Sequence, residues 1–473
     1  MPRVECVGCR WTAEIDDLSP SCKRCGSAVL LANPTKRAVS RERLEKLPPG
    51  VWRYRDFLPE VASEEVVTLG EGATPLLHAQ RLGEAIGLKH LLLKDESRNP
   101  TGSFLDRGAT VLLTVARRRG VKECACVTTG NLGASLSAYC AKAGVKAHVY
   151  VSPRTDQGKL FQMLAYGAEI DGTSPSKSWQ IDHTVLNVTA GNPYLLEGEK
   201  TTGFELVQEL GWCAPDVVVV PVGTGGHLSM IWRSLVELRA EGIIEGSGCR
   251  LLGARIQEAP SGSSKKSGRA SESRLPSFSE LSESEPFFLE EAERSMVRSG
   301  GKEVATTAKE AMEATSLLAR TEGIFAEPSS ASVVASLAEA VRSGKVDKDE
   351  MVVCVVTGAG LKDTRAVVRL ARQTRTIALR EGFATRSPTI GETKLAILRL
   401  LERRPRYGYE LWLLLGAKRR IATASVYQHL AELEGMSIVR RRGPAVFKGR
   451  ERMLYELTKK GDDFLEMMGK LEN

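Results

Sequence analysis

The chain has 473 residues, more than one compact core usually takes, so roughly two to four domains are expected. A composition of 42% hydrophobic, 26% charged and 5% aromatic residues is that of a soluble α/β protein. No apolar run approaches the roughly 20 residues that cross a bilayer, and MPRVECVGCR reaches a cysteine too early for a signal peptide, so a cytoplasmic protein with no membrane partner is expected. The net charge is +8, and the stretch Pro388 to Asn473 alone, with 17 Lys and Arg against 11 Asp and Glu, carries +6 of it. A basic module on a near-neutral body points to a polyanionic partner for that module, with a solvated basic surface as the alternative.

In chain order, Cys6, Cys9, Cys22 and Cys25 form CxxC-x12-CxxC, the spacing of a zinc ribbon. Each pair sits on a tight knuckle that lets two thiolates reach one tetrahedral Zn2+ ion of structural type. The ribbon is assigned residues 1–34. From residue 35 to 387, short apolar strands such as HLLLKDES, ECACVTTG and KAHVYVSP alternate with helical stretches such as ATVLLTVARRRG and ASLSAYCAKAG. Strand then helix, repeated, implies an α/β fold with a parallel sheet covered on both faces. The Ser-rich segment 261–286 lacks periodicity and reads as a flexible insertion. The sequence VVVVPVGTGGHL places Gly223, Thr224, Gly225, Gly226 and His227 between an apolar strand and a helix. There, backbone N–H groups and a helix N-terminus suit a phosphate.

Residues 388–473 read as three helices, GETKLAILRLLERRP, RYGYELWLLLG and TASVYQHLAELEG, then two β-type stretches around a Gly/Pro turn and a closing helix. That order makes a winged helix-turn-helix.

The stretch KDESRNPTGSFLDRG, Lys94 to Gly108, closely resembles the lysine motif of threonine synthases, enzymes of the tryptophan-synthase-β fold (fold type II) that use pyridoxal phosphate (PLP). The resemblance extends, in the family's order, through EGATPLLHAQRLGEAIGL, TTGNLGASLSAYCAKAG, GKLFQMLAYGAEI, NPYLLEGEKTTGFEL, VVVVPVGTGGHLSMI, EGIFAEPSSAS and VVTGAGLKD. It implies that the Gly223–Gly226 turn holds the PLP phosphate, that Asn131 bonds the ring hydroxyl and that Thr357 faces the pyridine nitrogen. It also implies that Leu105 stands where the family carries its Schiff-base lysine. A leucine forms no Schiff base and moves no proton. Leu132 likewise replaces a hydroxyl that the family uses to hold the substrate carboxylate. Two routes remain for PLP: non-covalent binding, or arrival already joined to an amino acid as an external aldimine.

The C-terminal motifs LAILRLLERRPRYGYEL, SVYQHLAELEGMSIV and RERMLYELTKKGDDFL resemble a PadR-type winged helix. By that resemblance Ser425, Tyr427, Gln428 and His429 face the DNA major groove, while Arg440, Arg441, Arg442, Lys448, Arg450 and Arg452 surround the hairpin and meet phosphates. The reading is a DNA-binding transcription regulator whose sensor is a threonine-synthase-like body without its catalytic lysine. It is expected to bind PLP or an amino-acid-related ligand and to form a homodimer. The alternative is a working threonine synthase with a DNA-binding tail.

Overall fold

The computed structural model describes the chain except for residues 1, 15–17, 19–20, 33–38, 129, 153–154, 173–184, 246–247, 258–287, 367, 369–391, 417–422, 448–449 and 473, and the side chains at 392, 424, 445–447, 450–451 and 466–472. The chain divides into two compact units, Met1–Arg375 and Thr376–Asn473. The Ser-rich segment and the boundary expected at Pro388 lie outside the described residues.

The first unit opens with a three-stranded antiparallel sheet, β1 (Arg3–Cys6), β2 (Thr12–Glu14) and β3 (Val29–Leu31), in the order β2-β1-β3. Ten more strands build two further sheets. They are β4 (Leu76–His78), β5 (His90–Asp95), β6 (Glu123–Thr128), β7 (Lys146–Val151), β8 (Glu169–Asp171), β9 (Val185–Val188), β10 (Val217–Pro221), β11 (Arg250–Gln257), β12 (Lys302–Thr307) and β13 (Met351–Val356). One sheet runs β12-β11-β10-β13-β5-β4 and the other β8-β7-β6-β9. All their pairings are parallel except β4 on β5. The helices that matter for the site are α1 (Leu105–Arg118), α2 (Asn131–Ala143), α3 (Pro193–Glu209), α4 (Gly226–Ala240), α5 (Leu289–Ser299) and α6 (Pro328–Arg342).

The central strands VVVVP and MVVCVV are apolar at every position because both of their faces are covered. Val217, Val219, Val352 and Cys354 pack with Ala331, Val334 and Leu337 on one face. Val218, Val220, Val353 and Val355 pack with Leu228, Ile231 and Leu235 on the other. Each fully buried valine or leucine contributes roughly 1.5–3 kcal/mol. The antiparallel edge strand β4 falls outside the strand-then-helix expectation. It is three residues long with two exposed, too short to show a period.

The second unit consists of α7 (Glu392–Arg403), β14 (Arg406–Tyr407), α8 (Gly408–Gly416), α9 (Thr423–Gly435), β15 (Val439–Phe447), β16 (Arg450–Leu457) and α10 (Lys459–Glu472). Its sheet is antiparallel in the order β14-β16-β15. Leu398, Leu401, Leu411, Val426, Leu430, Leu433 and Ile438 form its core. One detail corrects the sequence reading: Gly443 and Pro444 are inside β15, not at the hairpin turn. The register shifts between Arg441 and Gly443, and Gly443 has φ 131°, a conformation that glycine tolerates best. The result is a β-bulge with Arg442 as the extra residue. Among the described residues no helix is long and apolar enough to cross a membrane.

Candidate functional site

Three strands of the first unit, β6, β10 and β13, deliver their carboxyl ends to one cavity, through Thr128, Pro221 and Thr357. Ligands of open α/β sheets collect at such ends. The N-termini of four helices meet there too: Leu105 of α1, Asn131 and Leu132 of α2, Gly223, Thr224, Gly225 and His227 before and into α4, and Ser329 of α6 all line the space. Helix N-termini carry partial positive charge and free N–H groups, so their convergence favours an anionic ligand. The cavity itself is small, about 90 Å³. Small-molecule pockets start near roughly 300 Å³.

Leu105 is the first residue of α1 and is 8% exposed, with its side chain against the cavity. Its neighbours hold it there. Asp106 accepts hydrogen bonds from the Thr101 amide (2.6 Å), the Thr101 hydroxyl (2.7 Å) and Ser135 (2.6 Å). Burial still pushes its carboxyl up. Arg107, fully buried, pairs with Glu96 (2.6 Å) and Glu205 (3.0 Å), and Lys94 joins them through Glu205 (2.7 Å) and Glu209 (2.6 Å). Removing one partner from such a set costs roughly 3–5 kcal/mol. The backbone at the leucine is therefore fixed by the buried partners of the two residues that follow it.

The glycine turn is sterically committed. Gly225 has φ +87°, and a Cβ there would lie 2.6 Å from the Phe288 carbonyl oxygen, while at Gly226 it would lie 2.7 Å from Leu196. Gly223 and Thr224 complete the wall. His227 stacks on Phe104, with ring centroids 4.1 Å apart, and shares a hydrogen bond of 3.0 Å with the Thr202 hydroxyl through Nε2. Burial pushes its pKa down to about 3, so the ring is neutral. Its Nδ1 has no hydrogen-bond partner among the described residues. Asn131 donates to Glu327 (2.8 Å), which also pairs with Lys159 (3.0 Å). The Thr357 hydroxyl lies 2.8 Å from that of Ser330.

These residues suit the phosphate and polar groups of PLP: a turn with no room for side chains, convergent helix N-termini, and an unpaired imidazole nitrogen on the wall. The space present is smaller than a PLP site, so entry requires the walls to move. Among the described residues no lysine lines the cavity. Lys94 and Lys159 are ion-paired as above, and the Lys362 ammonium donates to the Thr101 carbonyl (2.9 Å). Sequence reasoning missed Glu327, Phe104 and Ser329. Glu327 was visible as the acid before Pro328 in EGIFAEPSSAS, but its partner Asn131 is 196 residues away.

Near the N-terminus of this unit, the Sγ atoms of Cys6, Cys9, Cys22 and Cys25 all lie within 4.8 Å of one another. Cys6 and Cys25 are 3.5 Å apart, and Cys9 and Cys22 3.6 Å. Four thiolates at about 2.3 Å from one tetrahedral zinc would be spaced by about 3.8 Å. Backbone amides of Cys9 and Arg24 also point at the Cys6 and Cys22 sulfurs (3.4 Å each), the knuckle geometry expected of the two CxxC pairs.

In the second unit, α9 buries Val426, Leu430 and Leu433 and exposes Tyr427 and Gln428, with Ser425 and His429 half-buried. Gln428 donates to Glu432 (3.2 Å), and Ser425 and His429 sit 3.5 Å apart. On the hairpin, Arg440 and Arg442 both pair with Glu456 (2.8 and 3.4 Å), and Arg441 pairs with Glu434 (3.1 Å). All three guanidinium groups are more than half exposed. Arg452 lies over the rings of Tyr407 (4.9 Å) and Tyr409 (5.1 Å), so it props the wing instead of projecting from it. Lys448 and the side chain of Arg450 lie outside the described residues.

Residues 67–358 match the family described as pyridoxal-phosphate dependent enzyme, and residues 397–467 match the transcriptional regulator PadR-like family. The chain is 37% identical over 387 residues to the threonine synthase of Methanocaldococcus jannaschii, covering 78% of this chain and 95% of the relative. It is 34% identical over 388 residues to that of Methanosarcina acetivorans, covering 79% and 95%. Among solved structures, the processed form of threonine deaminase isoform 2 from Solanum lycopersicum aligns with a TM-score of 0.50 at 16% identity, over 76% of this chain and 99% of that one.

Proposed function

Since the chain belongs to the threonine synthase family of pyridoxal-phosphate dependent enzymes and also carries a PadR-like domain, we propose that it is a DNA-binding transcription regulator whose threonine-synthase-like body is its sensor. One observation carries this reading: Leu105 faces the cavity, and none of the described lining residues is a lysine. Without a primary amine the cofactor has no covalent anchor and the substrate no proton shuttle. When bound, PLP supplies an electron sink for amino-acid chemistry. Here the Gly223–Gly226 turn and His227 hold its phosphate end, while Asn131 and Thr357 orient the ring. An amino-acid-related ligand occupies the same space. The four cysteines hold one structural zinc ion.

The DNA contacts follow from the second unit. Ser425, Tyr427, Gln428 and His429 enter the major groove, and the hairpin arginines meet phosphates. Their ion pairs with Glu456 and Glu434 are exposed, so exchanging them for phosphate costs little. A homodimer would read two half-sites about 34 Å apart.

The test begins by selecting genomic fragments that the full chain retains, then titrating one of them with and without PLP. PLP binding shifts DNA affinity by roughly 5- to 150-fold if the coupling is of ordinary size. The wild type forms no threonine from phosphohomoserine, and borohydride leaves no PLP attached to it at the site, whereas Leu105→Lys gains the attachment by mass. Turnover by the wild type, or DNA affinity blind to PLP and to amino-acid metabolites, would overturn the proposal.

A further inference from the structure

A second cavity, about 450 Å³, lies in the first unit where the four-cysteine ribbon packs against α4 and α5. That volume falls within the roughly 300–1,000 Å³ of small-molecule sites. Arg3 and Arg10 line it from the ribbon, and Arg233 and Arg298 from the two helices, against two carboxylates, Glu5 and Glu291. Not all of this charge is internally spent. Arg10 pairs with Glu5 (3.2 Å), and Arg233 with Glu237 (3.0 Å). Arg3 reaches only the Thr12 hydroxyl (3.3 Å) and has no carboxylate partner among the described residues. Arg298 comes no closer than 3.8 Å to Glu291. Two guanidinium groups on opposite walls are thus underused. Between them Ser295, 1% exposed, has a hydroxyl with no hydrogen-bond partner among the described residues. An unmet buried hydroxyl is costly unless something pairs with it.

We propose that this seam is a ligand site for a small molecule bearing two or more acid groups, whose oxygens bridge Arg3 and Arg298 and accept from Ser295. Guanidinium groups bind carboxylate and phosphate oxygens alike by paired N–H donation, so both chemistries fit the walls.

The site also reaches the glycine turn. Ser229, on its wall, donates to the Gly225 carbonyl (2.8 Å), and the Phe288 amide, one residue before α5, donates to the Thr224 carbonyl (3.0 Å). Both helices of the seam are therefore tied at their first turn to the loop that walls the first cavity. An occupant that displaces either helix displaces that loop. The site stands whether or not the first cavity binds PLP.

Calorimetric titration of the full chain with pyrophosphate and, separately, with citrate tests the proposal and tells phosphate from carboxylate chemistry. One of the two is expected to bind once per chain at this site. Arg298→Glu and Arg3→Glu, both at exposed positions, should each weaken it at least tenfold, while the same charge reversal at Arg320, exposed and not part of the seam, leaves it unchanged. Circular dichroism would confirm that the variants fold. Binding of neither anion, binding indifferent to both arginine reversals, or binding weakened as much by Arg320→Glu would overturn the site. The tie to the turn is read from hydrogen exchange of the 223–226 amides, which should change when the anion is added to the wild type. Unchanged exchange would overturn that tie.

Discussion

Leu105 is an apolar side chain held firmly against the cavity that the central strands and helix N-termini build. The buried set around it (Asp106, Arg107, Glu96, Glu205) holds the position. The leucine's place on the cavity wall was legible in the sequence because it lies inside a continuous motif. Glu327 was not, because an acid becomes a partner of Asn131 only when the fold brings the N-termini of α2 and α6 together. His227 supplies a measurable consequence. Its folded pKa of about 3 lies below the 6.5 of an exposed imidazole, so only the unfolded chain takes up a proton as pH falls below 6.5. The stability that comes from keeping the ring neutral is present above pH 6.5 and is lost progressively toward pH 3. From pH 7 to pH 5 the loss is about 2 kcal/mol for this one group. His227→Gln, which retains a partner for Thr202, should flatten the pH dependence by that amount. Urea unfolding of the two proteins at the two pH values measures it, and identical pH profiles would show that the ring is not buried neutral.

Among the elements, the ribbon and the hairpin were the most and the least legible. Two CxxC pairs state their geometry in their spacing, and the four sulfurs do converge. Elemental analysis of protein grown with ample zinc should find about one zinc per chain, and Cys6→Ser should lose it with the rest of the first unit still folded. Metal-free wild-type protein would refute the assignment. In the hairpin, Gly443 and Pro444 carried a turn signal, yet both sit inside β15. The bulge supplies glycine with its positive φ, and Pro444 lacks only an N–H that an irregular edge strand does not need. The bulge matters for charge, since Arg440, Arg441 and Arg442 are all exposed together where strict alternation would have turned one inward. Glu456 holds two of them. Glu456→Gln should tighten DNA binding by about 1.5- to 5-fold, the worth of an exposed ion pair, and steepen its salt dependence. Unaltered affinity and salt slope would take the hairpin off the DNA.

Over the whole molecule, the parallel sheet could be read from its alternation of strand and helix because each central strand is apolar on both faces, a pattern only a two-sided covering satisfies. The antiparallel edge and the size of the cavity could not, since neither leaves a periodic trace. That size bears on how fast a ligand can enter. A pocket of about 90 Å³ admits nothing as large as a cofactor until its walls part, so arrival of the ligand waits on a fluctuation of the protein and not on collision. Stopped-flow mixing with increasing PLP should therefore give an observed rate that levels off at the opening rate, on the μs–s scale of lid motions, whereas a line rising without limit would mean the cleft stands open. If the proposed sensor role holds, a body gated in this way would average over brief changes in ligand level and answer only those that outlast its own opening.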